Sequence, residues 1–397
     1  MGGSARGNEI AIASLQASGY AGGMTENDEF EIFLVATPGL EDALLAEARE
    51  RGFRDTKAVK GGVTLAGGWR EVWRANLELR GATRILARIG AFRAFHLAQL
   101  DKRARKLPWK VVLRPDVAFN VEASCKSSRI YHSGATAQRI VRAIREELGA
   151  PASMEAEITV MARIEDDLCT VSVDTSGVLL HKRGHKEAVN KAPMRETMAA
   201  MLLRQCGYEG TEPVVDPMCG SGTFVIEAAE IAAGLQPGRA RHFTFELLAT
   251  FDAHAWARMR TESATTRART PAFKLYGSDR DAGAIAMSRA NAERAGVSSL
   301  TEFRQLAISE LTAPEGSPGL VIVNPPYGAR LGEASHLKPL YKALGRTLLD
   351  RFKGWRVGLI TTDPSLARAT GLPFKPPGAP VSHGGLRVRL FQTAGLR

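Results

Sequence analysis

Three polar segments in the second half of the sequence could carry chemistry, and each follows a predicted strand. In the last of them, Asn324-Pro325-Pro326-Tyr327, Asn324 offers a side-chain amide oxygen and Pro325 a rigidly held carbonyl oxygen. Two such acceptors can hold the two hydrogens of an exocyclic amine. Tyr327 offers a face on which a base could stack, a contact worth roughly 1–3 kcal/mol. A bare turn is the alternative interpretation of this tetrapeptide when it is considered alone.

The first of the three segments is the glycine-rich run 216–223, which reads DPMCGSGT. Glycines let the backbone approach a ligand closely. Because the run opens a predicted helix, the free N–H groups there and the helix dipole favour an anionic group such as a carboxylate. A structural turn is the simpler interpretation of such a run by itself.

An acidic segment lies between these two, where the predicted strand 273–278 ends. A carboxylate at this point can hold two ribose hydroxyls, and Asp279 is the candidate. Asp281 is better suited to cap the helix that begins at Ala282. Occurring together and in this order, the three segments favour a ligand site over three unrelated turns.

The elements that must position these segments alternate in type from about residue 193 onward. The predicted strands are 213–216, 273–278, 320–323, 356–361 and 386–391, and the predicted helices are 194–206, 223–233, 282–295 and 337–352. This repeated pattern predicts an α/β fold with a parallel sheet and helices on both faces. Open sheets of this kind bind ligands at the carboxyl ends of their strands, which is where the three segments lie.

The first half of the chain has a different pattern and predicts two α+β modules. The predicted strands are 31–37, 63–66, 84–92, 119–123, 158–164 and 168–174, and the predicted helices are 40–51, 69–79 and 133–148. The acidic triplet Glu165-Asp166-Asp167 between two of these strands is typical of a hairpin. The spacing of these elements is not that of a Rossmann-type repeat.

The charge of the chain favours a polyanionic partner. Its formal net charge is +11 and its isoelectric point is about 9.7. The segment from Arg80 to Arg114 contains ten Lys or Arg residues and one acid, Asp101. Such a segment is typical of a nucleic-acid contact, with a solvated basic face as the alternative.

Composition argues against several other classes of protein. The hydrophobic content is 44%, and no apolar run approaches the length of a membrane span, so we expect no membrane association. The four cysteines form no CxxC pair and have no histidine cluster beside them, so we expect no disulfide framework, no metal and a cytoplasmic location. Residues 1–23 lack the apolar core of a signal peptide. We expect a disordered leader over 1–28, with Met24 as an alternative start.

Further motifs make the chain similar to a known enzyme family. The run 217–223 is followed by Ile226-Glu227-Ala228-Ala229, and His181-Lys182-Arg183-Gly184 precedes the run 192–197. Together with 237–238, 243–245 and the NPPY tetrapeptide, these motifs resemble the large-subunit (23S) rRNA guanine-N2 methyltransferases, which are class I enzymes that use S-adenosylmethionine. In the first half, 37–41, 61–63 and 84–86 resemble that family's ferredoxin-like segment and its THUMP domain, an RNA-binding module.

The resemblance covers about residues 30–393 and implies a domain organisation. A Rossmann-like class I methyltransferase domain would follow α+β ferredoxin-like and THUMP domains. The expected boundaries are 1–28 for the leader, 29–80 for the ferredoxin-like segment, 81–190 for the THUMP domain and 191–397 for the methyltransferase domain.

The resemblance also implies an activity and a set of functional residues. The activity is methyl transfer from S-adenosylmethionine to an exocyclic base amine of RNA, namely guanine N2 in large-subunit rRNA. Cofactor contacts are expected from Asp216, Pro217, Gly220, Ser221, Gly222, Thr223, Asp279 and Asn324. Asn324, Pro325 and Tyr327 would position the target amine. RNA contacts are expected from Arg84, Arg88, Lys102, Arg103, Arg105, Lys106, Lys110 and Arg183.

Two positions depart from the family's pattern. Ala307 stands where the family usually has an acid that contacts the adenine amine, and His185 stands where a Tyr is common. We expect the loss of the acid to cost about 0.5–1.5 kcal/mol of cofactor affinity, unless Gln305 or backbone groups substitute for it. Three alternatives stay open: a tRNA guanine-N2 methyltransferase, a DNA adenine methylase, and a non-catalytic RNA-binding protein with a retired active site. The first half of the sequence argues against the DNA enzyme.

Overall fold

The computed structural model describes residues 28–187, 194–327 and 334–397. Within these ranges the chain forms two sheets of seven strands each. The leader predicted for 1–28, including the alternative start Met24, lies outside the described residues except for Asp28.

The first sheet contains the strands of the first half of the chain. They are β1 (Phe30–Val35), β2 (Lys57–Val59), β3 (Gly62–Gly67), β4 (Arg84–Arg93), β5 (Phe119–Lys126), β6 (Ile158–Glu165) and β7 (Leu168–Asp174), in the spatial order β2-β3-β1-β4-β7-β6-β5. Strand β4 pairs antiparallel with β1 on one side and with β7 on the other. The two predicted α+β modules therefore share one continuous sheet.

Local sequence explains the turns of this sheet. The hairpin predicted between β6 and β7 is confirmed, and Asp166 and Asp167 adopt φ values of 51° and 62° in its turn. Aspartate tolerates this left-handed region better than most residues. The helices that cover the sheet are α1 (Glu41–Glu50), α2 (Trp69–Glu78), α3 (Leu97–Ala104), α4 (Trp109–Val112) and α5 (Ser133–Leu148).

The second sheet has the predicted α/β organisation. Its strands are β8 (Val214–Asp216), β9 (Leu275–Asp279), β10 (Thr301–Gln305), β11 (Leu320–Val323), β12 (Arg356–Thr361), β13 (Val381–His383) and β14 (Leu386–Gln392), in the order β10-β9-β8-β11-β12-β14-β13. Strands β8 to β12 are parallel, and β14 is antiparallel to β12. The helices are α6 (Glu196–Gln205), α7 (Thr223–Ala232), α8 (Ala253–Arg267), α9 (Ala282–Arg294), α10 (Ala334–Arg351) and α11 (Pro364–Ala369).

The strand order has a switch point at the centre of this sheet. From β8 the chain moves outward through β9 and β10, and then returns to place β11 on the other side of β8. The loops at the carboxyl ends of β8 and β11 therefore diverge. They leave a crevice of the kind that binds ligands in open α/β sheets.

A cluster of aromatic rings packs the two halves of the chain against each other. The ring of Trp73, on α2, lies 6.0 Å from the ring of Phe245, which also contacts Trp256 at 5.1 Å. Burial of large aromatic rings in such geometry contributes beyond the area that it removes from water. The cluster orients the first sheet relative to the second.

A largely buried ionic cluster, here called the junction cluster, also joins the two halves of the chain. It consists of Arg80, Arg183, Glu227, Glu230 and Arg239. Arg80 Nη1 lies 2.6 Å from Glu227 Oε1 and 3.2 Å from Glu230 Oε2. Since both glutamates belong to α7, the cluster ties the N-terminal half to the helix that follows the glycine-rich run.

No helix in the described ranges is long and apolar enough to cross a lipid bilayer.

Candidate active site

The three predicted polar segments meet at one edge of the second sheet. Strands β9, β8 and β11 are adjacent and parallel, with Asp216 level with Gly277. Asp279 and Asn324 therefore flank the loop 217–222 on its two sides. With neighbouring strands about 4.8 Å apart, β9 and β11 are separated by roughly 10 Å. The sequence-based expectation that these residues converge is met by the geometry.

The loop 217–222 depends on two glycines with left-handed backbone. Gly220 has φ 55° and Gly222 has φ 82°. A Cβ on Gly222 would meet the Cβ of Ser288 at 3.1 Å, whereas a Cβ on Gly220 would meet no atom within 4 Å. Gly222 thus permits close packing on α9, and Gly220 presents open backbone. Helix α7 begins directly after the loop, at Thr223, so its first N–H groups also face this edge.

Asp279 organises the second flank of the site. Its Oδ2 accepts a hydrogen bond from the Gly220 N–H at 3.0 Å, and its Oδ1 accepts one from the Asp281 N–H at 3.0 Å. A carboxylate has roughly four acceptor sites, so two remain for ribose hydroxyls. The Asp281 side chain accepts a hydrogen bond from the Gly283 N–H at 2.8 Å, which confirms its prediction as a helix cap.

Asp216 is buried beneath the loop. Burial raises the pKa of its carboxyl to about 8; the nearby negative charge of Asp279 adds to this shift, and a hydrogen bond from the Met218 N–H opposes it. Burial thus favours the protonated form of Asp216 in the ligand-free protein.

Asn324 carries an acceptor without a partner. Its Oδ1 is buried and has no hydrogen-bond partner among the described residues. Such an atom costs roughly 1–3 kcal/mol of stability, so its retention suggests a ligand that supplies the missing donor. Tyr327 is half-buried beside it, and burial raises the pKa of its phenol to about 12. Tyr327 is therefore a neutral ring at physiological pH, suited to stacking.

Tyr341 positions the NPPY segment and was missed by the sequence analysis. This fully buried residue of α10 donates its hydroxyl toward the carbonyl of Pro326 at 3.2 Å, with Thr361 Oγ1 at 3.4 Å. The contact restrains the backbone immediately after Pro325. Nothing in the local sequence signals it, because Tyr341 lies on the next helix.

Two polar residues of α9 hold the glycine-rich loop from below, and these were also missed. The Ser288 hydroxyl donates to the carbonyl of Gly220 at 2.8 Å, and the Asn291 amide donates to the carbonyl of Ser221 at 3.0 Å. Both side chains are fully buried. Polar residues three apart on a helix face the same side, and this spacing was the available signal.

Lys186 places a positive charge at the start of α7. Its Nζ donates to Thr223 Oγ1 at 2.9 Å and lies 3.3 Å from Glu196 Oε1. It precedes the range 188–193, whose structure is not described. Glu196 compensates this charge, so Lys186 chiefly holds the Thr223 hydroxyl at the start of α7.

An acid lies near Ala307, the position at which the family usually has one. Glu310 Oε2 accepts a hydrogen bond from the Ala307 N–H at 3.1 Å. The Gln305 amide donates to the carbonyl of Arg280 at 3.1 Å. A carboxylate is thus present near this strand end, three residues later than in the family's pattern, whereas the amide of Gln305 is already engaged.

The lysines predicted to contact RNA are exposed. Lys102, Lys106 and Lys110 lie on or beside α3 and α4, and none forms an ion pair with another described residue. Arg103 is half-buried and donates to the carbonyl of Arg93. The three ammonium groups are therefore available to phosphates.

Three of the predicted arginines are already paired within the first half of the chain. Arg84 pairs with Asp174, and Arg88 pairs with Glu31. Arg105 pairs with carboxylates of α3 and α5. Their positive charges are largely compensated, so the RNA contacts predicted for them stay predictions with weaker support than those of the lysines.

The RNA contact predicted for Arg183 is not compatible with its position. Arg183 is 2% exposed and donates to the carbonyls of Leu180 and Arg80, each at 2.8 Å. Its Nη2 also lies 3.3 Å from Glu227 Oε1. Arg183 belongs to the junction cluster, and its side chain is not accessible to a phosphate.

His185, the second position that departs from the family's pattern, is also buried, and burial lowers its pKa.

Three family models match consecutive parts of this chain. The chain matches the RlmL ferredoxin-like domain over residues 31–86, the THUMP domain over 95–174, and the RMKL-like methyltransferase domain over 183–373. It is 33% identical over 365 residues to the ribosomal RNA large subunit methyltransferase K/L of Chromohalobacter salexigens. That alignment covers 87% of this chain and 50% of the relative. The chain thus spans about half the length of the curated relatives it matches.

Two solved structures are similar over nearly their whole lengths. A predicted N6-adenine-specific DNA methylase from Listeria monocytogenes is 31% identical, with a TM-score of 0.84 and coverage of 93% of this chain and 97% of that one. A methyltransferase solved in complex with SAH is 28% identical, with a TM-score of 0.85 and coverage of 94% and 100%.

Fold and site together define a class I methyltransferase domain joined to ferredoxin-like and THUMP domains, as the sequence predicted. The chain belongs to the family of THUMP-domain methyltransferases that combine an RlmL ferredoxin-like domain with an RMKL-like methyltransferase domain.

Proposed function

We propose that this chain transfers a methyl group from S-adenosylmethionine to an exocyclic amine of an RNA base, namely guanine N2 in large-subunit rRNA. The observation that carries the proposal is the buried, unpartnered Oδ1 of Asn324 beside the glycine-rich loop. The K/L relative supports the substrate, and the neighbour complexed with SAH supports the cofactor.

The residues present suit this cofactor. Asp279 keeps acceptor capacity for the ribose, and Gly220 presents open backbone between the two strand ends. Thr223 and the start of α7 suit the carboxylate of the amino-acid portion. The departing group of S-adenosylmethionine is a neutral thioether, so its release needs no general acid.

The NPPY segment would hold the target amine. Asn324 Oδ1 and the carbonyl of Pro325 would accept its two hydrogens, and the ring of Tyr327 would stack on the base. The amine's lone pair is delocalised into the base, so acceptors that orient it and stabilise the developing positive charge are valuable. Positioning of this kind can supply roughly 7–11 kcal/mol of barrier reduction.

RNA binding would begin at the exposed lysines of the THUMP region. Phosphate contacts there position the RNA without reading its sequence. The target base would then be unstacked into the crevice. We also propose a cytoplasmic location, since the four cysteines are free, as expected in a reducing compartment.

The acceptor geometry does not separate guanine from adenine, because both bases carry an exocyclic amine. The Listeria relative is described as acting on DNA adenine. The THUMP match and the exposed lysines favour RNA for this chain. Transfer RNA is the alternative RNA substrate.

The direct test is transfer of labelled methyl from S-adenosylmethionine to undermethylated rRNA, tRNA and DNA, with nucleosides identified by mass spectrometry. N2-methylguanosine in large-subunit rRNA is expected. Label in tRNA would redirect the proposal to the alternative substrate, and N6-methyladenine in DNA would overturn the choice of RNA. Absence of both label and cofactor binding would identify a catalytically inactive site.

Asp279→Ala should weaken cofactor binding by roughly 10- to 100-fold, because hydrogen bonds from ribose to a charged acceptor are worth about 1.5–3 kcal/mol each. Isothermal titration with S-adenosylmethionine measures this change. Asp281→Ala is the matched control, since it removes a helix cap worth about 1 kcal/mol of stability and should leave the Kd unchanged. Equal Kd values for the two variants would contradict the ribose role of Asp279.

A further inference from the structure

A cleft of about 390 Å³ lies between α2 of the ferredoxin-like domain and α8 of the methyltransferase domain. The side chains of Met259, Ser263 and Thr266, from α8, form part of its wall. The cleft lies outside the THUMP match at 95–174 and includes none of the residues predicted for cofactor or amine binding. It is therefore a separate surface feature, built at the contact of two domains.

The one buried carboxylate in the cleft is already neutralised. Glu78 Oε2 accepts a hydrogen bond from Arg267 at 2.9 Å and lies 3.9 Å from Arg74 Nη1. Its Oε1 accepts a hydrogen bond from the Ser263 hydroxyl at 3.1 Å. Glu78 thus holds two guanidinium groups in the wall of the cleft and does not present an open negative charge.

Two further arginines of the cleft are exposed and unpaired. Arg70 precedes Arg74 by one helical turn on α2, and Arg258 projects from α8. Neither forms an ion pair within the described ranges. With Glu262 as the remaining acid, four arginines face two glutamates. The surplus of positive charge is concentrated where two helices from different domains approach each other.

We propose that this cleft binds a phosphate of the RNA backbone through Arg70 and Arg258, and so forms a second RNA-anchoring site apart from the THUMP domain. The proposal rests on the proposed RNA substrate. Arginine suits this role because its planar guanidinium can donate two parallel hydrogen bonds to a phosphate. Contact with both helices would also make RNA binding sensitive to the relative placement of the two domains.

The test compares the whole chain with its Arg70→Ala/Arg258→Ala variant. RNA binding is measured with labelled undermethylated large-subunit rRNA across a KCl series. Loss of this one phosphate contact should reduce the magnitude of the negative slope of log K against log salt by about 0.7–0.9. At 0.1 M KCl the Kd should rise roughly tenfold. Lys274→Ala/Lys353→Ala is the control, because both lysines are exposed and neither lines the cleft.

The outcomes separate this proposal from the proposed function. A variant with the Kd and salt slope of the control overturns the cleft as an RNA site. A wild-type protein that methylates no RNA defeats the proposed function. The binding series still decides the cleft in that case, because it requires no methyl transfer. A variant that binds RNA weakly but keeps its affinity for S-adenosylmethionine supports the proposal.

Discussion

Asn324→Ala should reduce kcat for methyl transfer by roughly 100- to 1,000-fold, the usual effect of removing one preorganised polar group from an active site. The variant should fold normally. Its free energy of unfolding should be unchanged or slightly higher, because the substitution removes a buried acceptor that has no partner among the described residues. A large loss of rate without a loss of stability is the signature of a residue kept for function.

Two further measurements assign that loss to the acceptor oxygen. Asn324→Asp retains an oxygen at the Oδ1 position and should keep more activity than Asn324→Ala. The Kd of S-adenosylmethionine should change by only a few-fold in either variant, because Asp279 and the loop residues still hold the cofactor. Turnover near the wild-type rate in Asn324→Ala would refute the proposed role. A collapse of stability in that variant would indicate a structural role for the side chain.

The arrangement of the candidate site could be predicted from sequence because its residues are consecutive in short motifs at strand ends. Asp279 and Asn324 could be located from the strands that precede them, and the parallel arrangement then required them to meet. The supporting residues Ser288, Asn291 and Tyr341 could not be located in the same way. Their contacts join elements that are distant in the chain, so local patterns do not specify them.

Several elements were missed, among them β2, β13, α3, α8 and α11, and the two strands depend on tertiary contact for their stability. Strands β2 and β13 have three residues each and exist through pairing with a neighbour. Helix α8 has no continuous apolar stripe, although Asp252 caps its start by accepting from two N–H groups at 2.9 and 3.0 Å. A signal was available for β13, since the pair Gly384-Gly385 before β14 is typical of a hairpin turn.

The continuous first sheet illustrates a different limit. Pairing of β1 with β4 joins the ferredoxin-like segment to the THUMP segment. The sequence of neither strand indicates which strand it pairs with. The predicted boundary between residues 80 and 81 separates β1 from β4 within one sheet. Domain boundaries are predicted from sequence where the spacing of strands and helices changes. Pairing between strands on the two sides of such a boundary leaves no mark in the sequence. The boundaries themselves stay predictions.

Glu227→Gln should lower the free energy of unfolding by roughly 3–5 kcal/mol, because it leaves a buried cation without its counter-ion. Glu227 is 1% exposed and pairs with Arg80 at 2.6 Å and with Arg183 at 3.3 Å. Arg80 keeps Glu230 as a partner, whereas Arg183, which is 2% exposed, has no other carboxylate partner among the described residues. The amide has nearly the same shape as the carboxylate, so no cavity contributes to the loss. Urea denaturation, followed by the shift of its midpoint, measures the change.

Two controls show that burial of the charge causes this effect. Glu29→Gln makes the same substitution in an exposed pair, in which Glu29 lies 2.7 Å from Arg54, and it should change stability by less than about 1 kcal/mol. Adding Arg183→Met to Glu227→Gln should recover part of the loss, since the unpaired guanidinium is then absent. Additive losses in that double variant would mean that the two charges are not coupled. Recovery would show that the two buried charges stabilise the fold as a pair, at the point where Arg183 meets α7.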